Sequence, residues 1–321
     1  MSKDSPAQPI VVGTEVIAPG ARSRFDLPAA RLPTHTKLNI PLTVINGRKK
    51  GPVVWLSAAV HGDELNGVEI IRQVMDGIEG GLVRGAIIAV PIVNVFGFIG
   101  QSRYLPDRRD LNRSFPGTTK GSLASRMAQL FMAEIVSKCS HGIDLHTASQ
   151  DKTNLPQIRA NLDDPETLRC AQAFGAPVMV HSKERTGSLR AAAAKLGISV
   201  LVYEGGAAQR FNEDAITAGV RGVRSVLSEL GIIPKSSRKR QPVVRVDASQ
   251  WVRTRTGGIL RLAVKQGEVV VPKQLIGRVS DPFGDDEVVL RAPFRGLVIG
   301  CTMNPVVHAG DAVVNLGQIR D

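Results

Sequence analysis

The sequence has little of what secreted, membrane and redox proteins are built from. It contains three cysteines in 321 residues, Cys139, Cys170 and Cys301, which form neither a disulfide framework nor a CxxC metal motif. No apolar run approaches the roughly 20 residues that a membrane helix needs. The stretch from Met1 to Pro9 lacks the apolar segment of a secretory signal. We therefore expect a cytoplasmic protein without a membrane partner.

The charges of the chain are unbalanced. Its 41 Lys and Arg residues outnumber its 29 Asp and Glu residues, which gives a formal net charge of +12. A basic surface favours either nucleic acid or small anionic ligands. The tightest basic cluster spans Lys235 to Arg240, and no nucleic-acid-binding signature accompanies it. Because such clusters are usually solvated segments, we expect no nucleic-acid partner and favour a small anionic substrate.

The order of the predicted elements indicates an α/β protein. Apolar runs of strand length alternate with helical patterns up to about residue 233. The first 50 residues or so form short strands, and Asn46-Gly47 predicts a hairpin turn into the next strand. We divide the chain into a catalytic α/β domain with an N-terminal β lead-in (1–233), a basic linker (234–242) and a C-terminal β-sandwich domain (243–321).

The C-terminal segment is rich in Gly and Val and has no helical period. An internal repeat relates the stretch from Gly258 to Val270 to the stretch from Gly296 to Val313. The pattern resembles the small all-β fold of biotinyl and lipoyl carrier domains. Those domains carry their cofactor on a Lys at a hairpin tip, whereas the tip here, near Met303-Asn304-Pro305, has none. We expect a structural domain without a covalent cofactor.

A turn after the buried strand at 52–59 carries the main chemical signal. His61 and Glu64 are three residues apart at the predicted C-terminal end of this strand, where ligands bind in open α/β sheets. A zinc site of two His and one Glu needs one more His, and His146 follows another predicted strand. Alternatively, each His is an ordinary capping or core residue. The combined pattern favours the metal site.

Further polar residues accompany the proposed metal ligands. Glu204 is predicted to end an apolar strand and is a candidate general base, although a surface strand terminus is the alternative. Asp63 and Asp144 are candidates for orienting the His rings, and plain turn chemistry suits Asp63 equally well.

The long loop at 97–119 carries a second group of candidates. Arg103 can stabilise a developing oxyanion beside a metal. Asn112 and Arg113 can hold a substrate carboxylate through charge-assisted hydrogen bonds.

These motifs, taken in order, resemble the succinylglutamate desuccinylase/aspartoacylase family, which is related to zinc carboxypeptidases. The resemblance rests on His61-Gly62-Asp63-Glu64, Asp110-Leu111-Asn112-Arg113, Asp144-Leu145-His146-Thr147 and Glu204. It implies an α/β/α zinc carboxypeptidase-like domain with a mixed sheet. It also implies hydrolysis of the amide bond of a small N-acyl amino acid.

The resemblance implies a role for each matching residue. His61, Glu64 and His146 would hold one Zn²⁺ per subunit, and Glu204 would act as the general base. Arg103 would polarise the carbonyl group. The remaining three, the substrate binders, are Asn112, Arg113 and Arg190.

The chain departs from aspartoacylases at one position. They use a Tyr of the C-terminal domain to contact substrate, but the two tyrosines here, Tyr104 and Tyr203, lie outside that segment. This departure argues against specificity for aspartate. The long Arg-rich loop, together with the stretch at 155–162, resembles the branch that deacetylates N-acetyl-diaminobutyrate.

Two other functions fit parts of the pattern. One is a zinc carboxypeptidase that acts on short peptides. The other is a non-catalytic metal-binding module, which the presence of all three ligands and of Glu204 argues against. The sequence allows a homo-oligomer but gives no indication of its size.

Overall fold

The computed structural model describes residues 5–78, 82, 84–235 and 242–319. Most of the predicted basic linker, 236–241, lies outside the described residues. The strands are β1 (Ile10–Val12), β2 (Glu15–Ile17), β3 (Arg22–Arg31), β4 (Lys37–Asn46), β5 (Val53–Ala58), β6 (Ala86–Val90), β7 (His141–Ala148), β8 (Lys152–Ala160), β9 (Val178–His181), β10 (Ser199–Ala207), β11 (Val244–Val246), β12 (Ser249–Arg253), β13 (Gly258–Leu262), β14 (Val269–Val270), β15 (Leu275–Ser280), β16 (Glu287–Arg291), β17 (Gly296–Thr302), β18 (Val306–Val307) and β19 (Ala312–Gln318). The α-helices are α1 (Asn66–Asp76), α2 (Val95–Ile99), α3 (Leu123–Glu134), α4 (Pro165–Phe174), α5 (Leu189–Ala194) and α6 (Glu213–Glu229).

A mixed sheet runs through the molecule. Within the described residues it has 13 strands, and its main path is β12-β19-β17-β8-β10-β7-β5-β6-β4-β3. The central strands β6, β5, β7 and β10 are parallel to one another. Their C-terminal ends therefore lie at one edge of the sheet, where the loops after these strands meet.

Helices cover both faces of this sheet, as the α/β/α prediction requires. Successive residues of β5 point to opposite faces. Leu56 belongs to the core that contains Ile70 of α1, Phe174 of α4 and Val223 of α6. The neighbouring residue, Trp55, belongs to the core that α3 and α5 cover. The two apolar cores hold the central strands, and with them the loops at the strand ends, in fixed positions.

Local sequence signals set the ends of α4. The side chain of Asp164 accepts a hydrogen bond from the Thr167 amide at 2.7 Å, which caps the first turn. Pro165 occupies the first helical position, where no amide hydrogen is needed. Gly175 ends the helix with φ 67°, a left-handed conformation that favours glycine. These three residues account for the start and the end of α4.

Two details of the strand predictions are wrong. Asn46-Gly47 does not form a hairpin between neighbouring strands, because β6 lies between β4 and β5 in the sheet. Glu204 does not end its strand, because β10 continues to Ala207 across an irregularity in its pairing. The glycines after Glu204 therefore belong to the sheet.

The C-terminal segment is joined to the main sheet. Strands β13, β15, β16 and β18 form a separate four-stranded sheet, whereas β17 pairs antiparallel with β8. The predicted hairpin tip is held in place, since the Met303 amide donates a hydrogen bond of 2.7 Å to the Asp151 carbonyl. The described residues 242–319 contain strands and no α-helix. The domain boundaries themselves remain a prediction.

Two expectations about the whole chain concern its cysteines and membranes. All three cysteines are buried and unpaired. Across the part of the chain that the structure describes, no helix combines the length and the apolar character needed to span a bilayer.

Candidate metal centre and active site

The turn after β5 places His61 and Glu64 on the same side. The Glu64 amide donates a hydrogen bond of 3.1 Å to the His61 carbonyl, which closes the turn. Gly62 lies so close to the neighbouring loop that an added Cβ would be 1.9 Å from the carbonyl carbon of Gly97. A side chain at position 62 would therefore push this loop away. The glycine makes the close packing of the turn possible.

Three buried side chains converge beyond this turn. Nδ1 of His61 lies 2.8 Å from Oε1 of Glu64, and Nδ1 of His146 lies 2.7 Å from Oε2. The candidate ligand atoms of the three residues all lie within 4.8 Å of one another. Two imidazoles and a carboxylate at this spacing can hold a metal ion, and such a set leaves a further coordination position for water.

The remaining ring nitrogen of each His faces an aspartate. Nε2 of His146 lies 2.8 Å from Asp144, as the sequence predicted. Nε2 of His61 lies 3.2 Å from Asp110 instead of Asp63. The prediction for Asp63 is wrong because its side chain points elsewhere: its Oδ1 is buried and has no hydrogen-bond partner among the described residues.

The position of Asp144 is itself fixed by a buried chain of hydrogen bonds. The Ser57 hydroxyl donates to Oδ1 of Asp144 at 2.7 Å. The indole Nε1 of Trp55 donates in turn to the Ser57 oxygen at 3.2 Å. These hydrogen bonds link β5 to β7 and hold Asp144 against the His146 ring. The ring orientation of His146 is therefore determined by the core of the sheet.

Electrostatics keep the central carboxylate ionised. Burial would raise the pKa of Glu64, but His61 and His146 lower it well below its ordinary value. Burial would lower the pKa of His146, but Asp144 and Glu64 raise it well above its ordinary value. Burial would also lower the pKa of His61, but Glu64 and Asp110 raise it above its ordinary value. Glu64 therefore offers a negatively charged oxygen, a possible metal ligand, between the two imidazoles.

Arg103 lies beside the three converging residues. Its Nη2 donates to Oδ2 of Asp110 at 2.9 Å. Its Nη1 lies 3.4 Å from Oε1 of Glu64. The side chain is 24% exposed, and it lines a cavity that also contains His61 and His146. This location fits the role predicted for Arg103 at a developing negative charge.

Glu204 lies on the strand next to the one that carries His146. The parallel register of β10 and β7 places the two residues side by side. Oε2 of Glu204 accepts a hydrogen bond of 2.7 Å from the amide of Asn154. Oε1 lies 3.8 Å from Nε of Arg159. The carboxylate is 21% exposed and faces the same cavity as the two histidines.

The three predicted substrate binders also line this cavity. Oδ1 of Asn112 accepts a hydrogen bond of 2.9 Å from the Leu189 amide, so its NH₂ group is the part left to donate. Partial burial of the Arg113 guanidinium lowers its pKa, although Asp110 opposes this effect. Arg190 donates to the Lys183 carbonyl at 2.8 Å. Its Nη1 is buried and lacks a partner among the described residues.

One cavity of about 630 Å³ brings all these residues together. Its lining includes the eight predicted site residues: His61, Glu64, Arg103, Asn112, Arg113, His146, Arg190 and Glu204. It also includes four residues that the sequence reasoning missed: Lys152, Asn154, Arg159 and Trp251. Asp110, which contacts His61, was missed as well, although it begins a motif that was recognised. The other four carry no local sequence signal.

Comparison with known proteins gives a consistent set of relatives. Residues 50–230 match the family model for the succinylglutamate desuccinylase/aspartoacylase catalytic domain. The chain is 28% identical over 294 residues to an N-alpha-acetyl-L-2,4-diaminobutyric acid deacetylase of Halomonas elongata. That alignment covers 87% of this chain and 86% of the relative.

Solved structures give the same grouping. A succinylglutamate desuccinylase/aspartoacylase from Rhodobacter sphaeroides superposes with a TM-score of 0.84 at 27% identity, covering 94% of this chain and 96% of that one. The product-bound ectoine utilization protein EutE (DoeB) from Ruegeria pomeroyi also has a TM-score of 0.84, at 26% identity. The superposition covers 98% of this chain and 99% of the EutE chain.

Proposed function

Because the chain belongs to the succinylglutamate desuccinylase/aspartoacylase family, we propose that it hydrolyses the amide bond of a small N-acyl amino acid with the help of a zinc ion. One observation carries the proposal. His61, Glu64 and His146 bring three candidate ligand atoms together at one end of the cavity that Glu204 also lines. A metal site and a carboxylate beside it are the two parts that metal-assisted hydrolysis needs.

The three side chains fit a zinc ion. Because Asp110 and Asp144 face the Nε2 atoms, both rings can carry their hydrogen on Nε2 and present the lone pair of Nδ1 towards Glu64. His61, Glu64 and His146 would hold the ion with two nitrogen ligands and one oxygen ligand. Zinc bound in such a site supplies Lewis acidity and lowers the pKa of a water molecule to about 7.

The side chains around this group have separate tasks in the proposed reaction. Glu204 takes a proton from the attacking water and passes it to the nitrogen of the leaving amine. Arg103 donates hydrogen bonds to the carbonyl oxygen as that oxygen gains negative charge. Asn112 and Arg113 hold the carboxylate of the substrate, which aligns the amide bond with Glu204.

The charge of the cavity supports an anionic substrate. Besides Arg103, Arg113 and Arg190, its lining contains four more cations: Lys152, Arg159, Lys183 and Arg185. The lining carboxylates Glu64, Asp144 and Glu204 all have hydrogen-bond partners within the protein. The positive potential that results favours a substrate with at least one carboxylate.

The proposal is tested by measuring amine release from a panel of substrates with zinc present. The panel contains N-acetyl and N-succinyl amino acids, N-alpha-acetyl-L-2,4-diaminobutyric acid and dipeptides. We expect hydrolysis of N-acyl amino acids and not of dipeptides. Preferential cleavage of dipeptides would instead make the protein a carboxypeptidase. No hydrolysis of any compound by the zinc-loaded protein would contradict the proposed function.

Metal analysis of variants tests the ligand set in the same experiment. His61→Ala, Glu64→Ala and His146→Ala should each lose zinc and activity together, because a three-ligand site has no ligand to spare. Full zinc content in all three variants would exclude this site as the metal centre.

A further inference from the structure

Asn154 connects the catalytic carboxylate with the C-terminal segment. Its Nδ2 donates a hydrogen bond of 2.7 Å to Oε2 of Glu204. The residue lies in β8, which is sandwiched between β10 on one side and β17 on the other. Its pairing partners are Gly206 in β10 and Gly300 in β17. The side chain is 6% exposed and lines the cavity.

The chemistry of the pair determines the orientation of the Asn154 amide. An ionised carboxylate has acceptors and no donors, so the NH₂ group must face Glu204. The amide oxygen then points away from Glu204, towards β17. Hydrogen bonds to a charged acceptor are stronger than neutral ones and fix the position of both partners. Asn154 thus holds Oε2 of Glu204, while Oε1 is left to receive a proton.

Gly300 leaves the space that this amide occupies. A Cβ built at Gly300 would lie 2.8 Å from Oδ1 of Asn154, which is closer than van der Waals contact permits. The next nearest atom, the carbonyl oxygen of Thr153, would be 3.4 Å away. A methyl group at position 300 would therefore act mainly on the amide of Asn154. The backbone of β17 could keep its pairing with β8.

We infer that Asn154 is a positioning residue for Glu204, and that Gly300 in the C-terminal segment leaves the space that the Asn154 amide needs in this orientation. The inference rests on the proposed function, because it takes Glu204 as the general base. It gives the C-terminal segment a catalytic purpose that needs no cofactor. The strand β17 acts through Asn154 on a carboxylate that it does not itself contact.

Steady-state kinetics of three variants tests the inference. Asn154→Ala removes the donor and should lower kcat about 10- to 100-fold, with KM and zinc content little changed. Asn154→Asp keeps the shape but sets a second carboxylate against Glu204, so kcat should fall at least as far. Gly300→Ala should reproduce the effect of Asn154→Ala. Adding Gly300→Ala to Asn154→Ala should cause no further loss, because both changes act on the same contact.

The matched control is Gly257→Ala, an exposed glycine of the same segment whose added Cβ would meet no atom closer than 3.3 Å. It should retain wild-type kinetics. A purely structural role for Asn154 predicts that the isosteric Asp is milder than Ala, and that result would overturn the inference. So would additive losses in the double variant.

Crystal structures of the variants separate this inference from the proposed function. If the wild-type protein hydrolysed no panel compound, the proposed function would fail, but the contact could still be judged. A Glu204 carboxylate displaced in both Asn154→Ala and Gly300→Ala would support positioning. A carboxylate that stayed in place in both variants would refute it.

Discussion

Each histidine of the candidate metal centre faces one aspartate, which is close in sequence for His146 and distant for His61. Asp144 is two residues from His146, whereas Asp110 is 49 residues from His61 and also binds Arg103. A carboxylate on the outer nitrogen fixes the tautomer and orientation of a ligand imidazole. Asp110 therefore connects a candidate metal ligand with the arginine proposed to act on the substrate.

A pair of aspartate variants tests which residue supports His61. Asp110→Ala should lower the affinity for zinc about 10- to 100-fold, because the His61 ring loses its acceptor. Asp63→Ala is the matched control and should bind zinc as the wild type does, since its carboxylate does not contact His61. Titration with a competing chelator measures both affinities. A larger loss in the Asp63 variant would show that Asp63, and not Asp110, supports the ring.

Glu204→Gln tests the proposed base without altering the ligand set. The amide keeps the size of the side chain but cannot take a proton at neutral pH. Since general-base catalysis contributes about 10²–10⁴-fold, kcat should drop by that order, with zinc retained. KM should change little, because Arg113 is the proposed carboxylate anchor. Turnover at the wild-type rate would move the search for the base to other acids near the cavity.

The predicted residues that the structure brings to the cavity have local sequence signals. His61 and Glu64 share a turn, and both His146 and Glu204 are located by an apolar strand. The Asp110–His61 contact and the Asn154–Glu204 contact could not be predicted in this way. The first joins two loop residues 49 positions apart, and the second joins residues 50 positions apart on the neighbouring strands β8 and β10.

At the scale of elements, the ends of a helix depend on local sequence, whereas the neighbours of a strand do not. The caps of α4 and the amphipathic pattern of α6 depend on residues within a few turns of the chain. Strand pairing depends instead on how distant strands are arranged. The residues near Asn46 carry no signal that β6 lies between β4 and β5 in the sheet. The strand β8, with Pro156 in its middle, was not predicted from sequence, yet it carries Asn154 and Arg159.

In the first turn of α4, Glu166 pairs with Arg169 of the same helix at 2.6 Å and contacts His141 of β7 at 2.8 Å, and acid should weaken both interactions. Hydrogen bonds from Arg169 lower the pKa of Glu166 to about 2, against the effect of burial, and His141 at the start of β7 adds to this. A carboxylate with a lowered pKa stabilises the fold above its ordinary pKa near 4.5, and that stabilisation is lost as pH falls towards 2.

Glu166→Gln should therefore destabilise the protein at pH 7 and have little effect near pH 2. The loss at pH 7 should be about 1 kcal/mol or less, because exposed ion pairs are screened by solvent and Glu166 is 40% exposed. Urea unfolding of wild type and variant at a series of pH values measures the difference. A difference that stayed constant from pH 7 to pH 3 would contradict the assigned role of the ion pair.

At the scale of the whole molecule, the C-terminal segment contributes to the cavity of the candidate active site. Through β17 it extends the sheet beyond β8, and through β12 it brings Trp251 into the cavity lining. Nζ of Lys152 lies 5.6 Å from the centre of the Trp251 ring. The aromatic face of Trp251 thus lies against the cation of Lys152, and both residues line the cavity. This segment contains no tyrosine, and Trp251 is its aromatic residue in the cavity lining.

Substitution of Trp251 tests this contribution. Trp251→Ala removes the ring that holds Lys152 in place, so KM should rise about two- to fivefold, the size expected for an exposed cation–π pair. The value of kcat should change little, because the ring is not among the groups proposed to act on the amide bond. Trp251→Phe keeps an aromatic face and is the matched control, with a smaller rise in KM.

If both variants kept the wild-type KM, the wall formed by the C-terminal segment would play no part in substrate binding. A fall in kcat with an unchanged KM would also contradict this prediction, because it would place Trp251 among the groups that act on the amide bond.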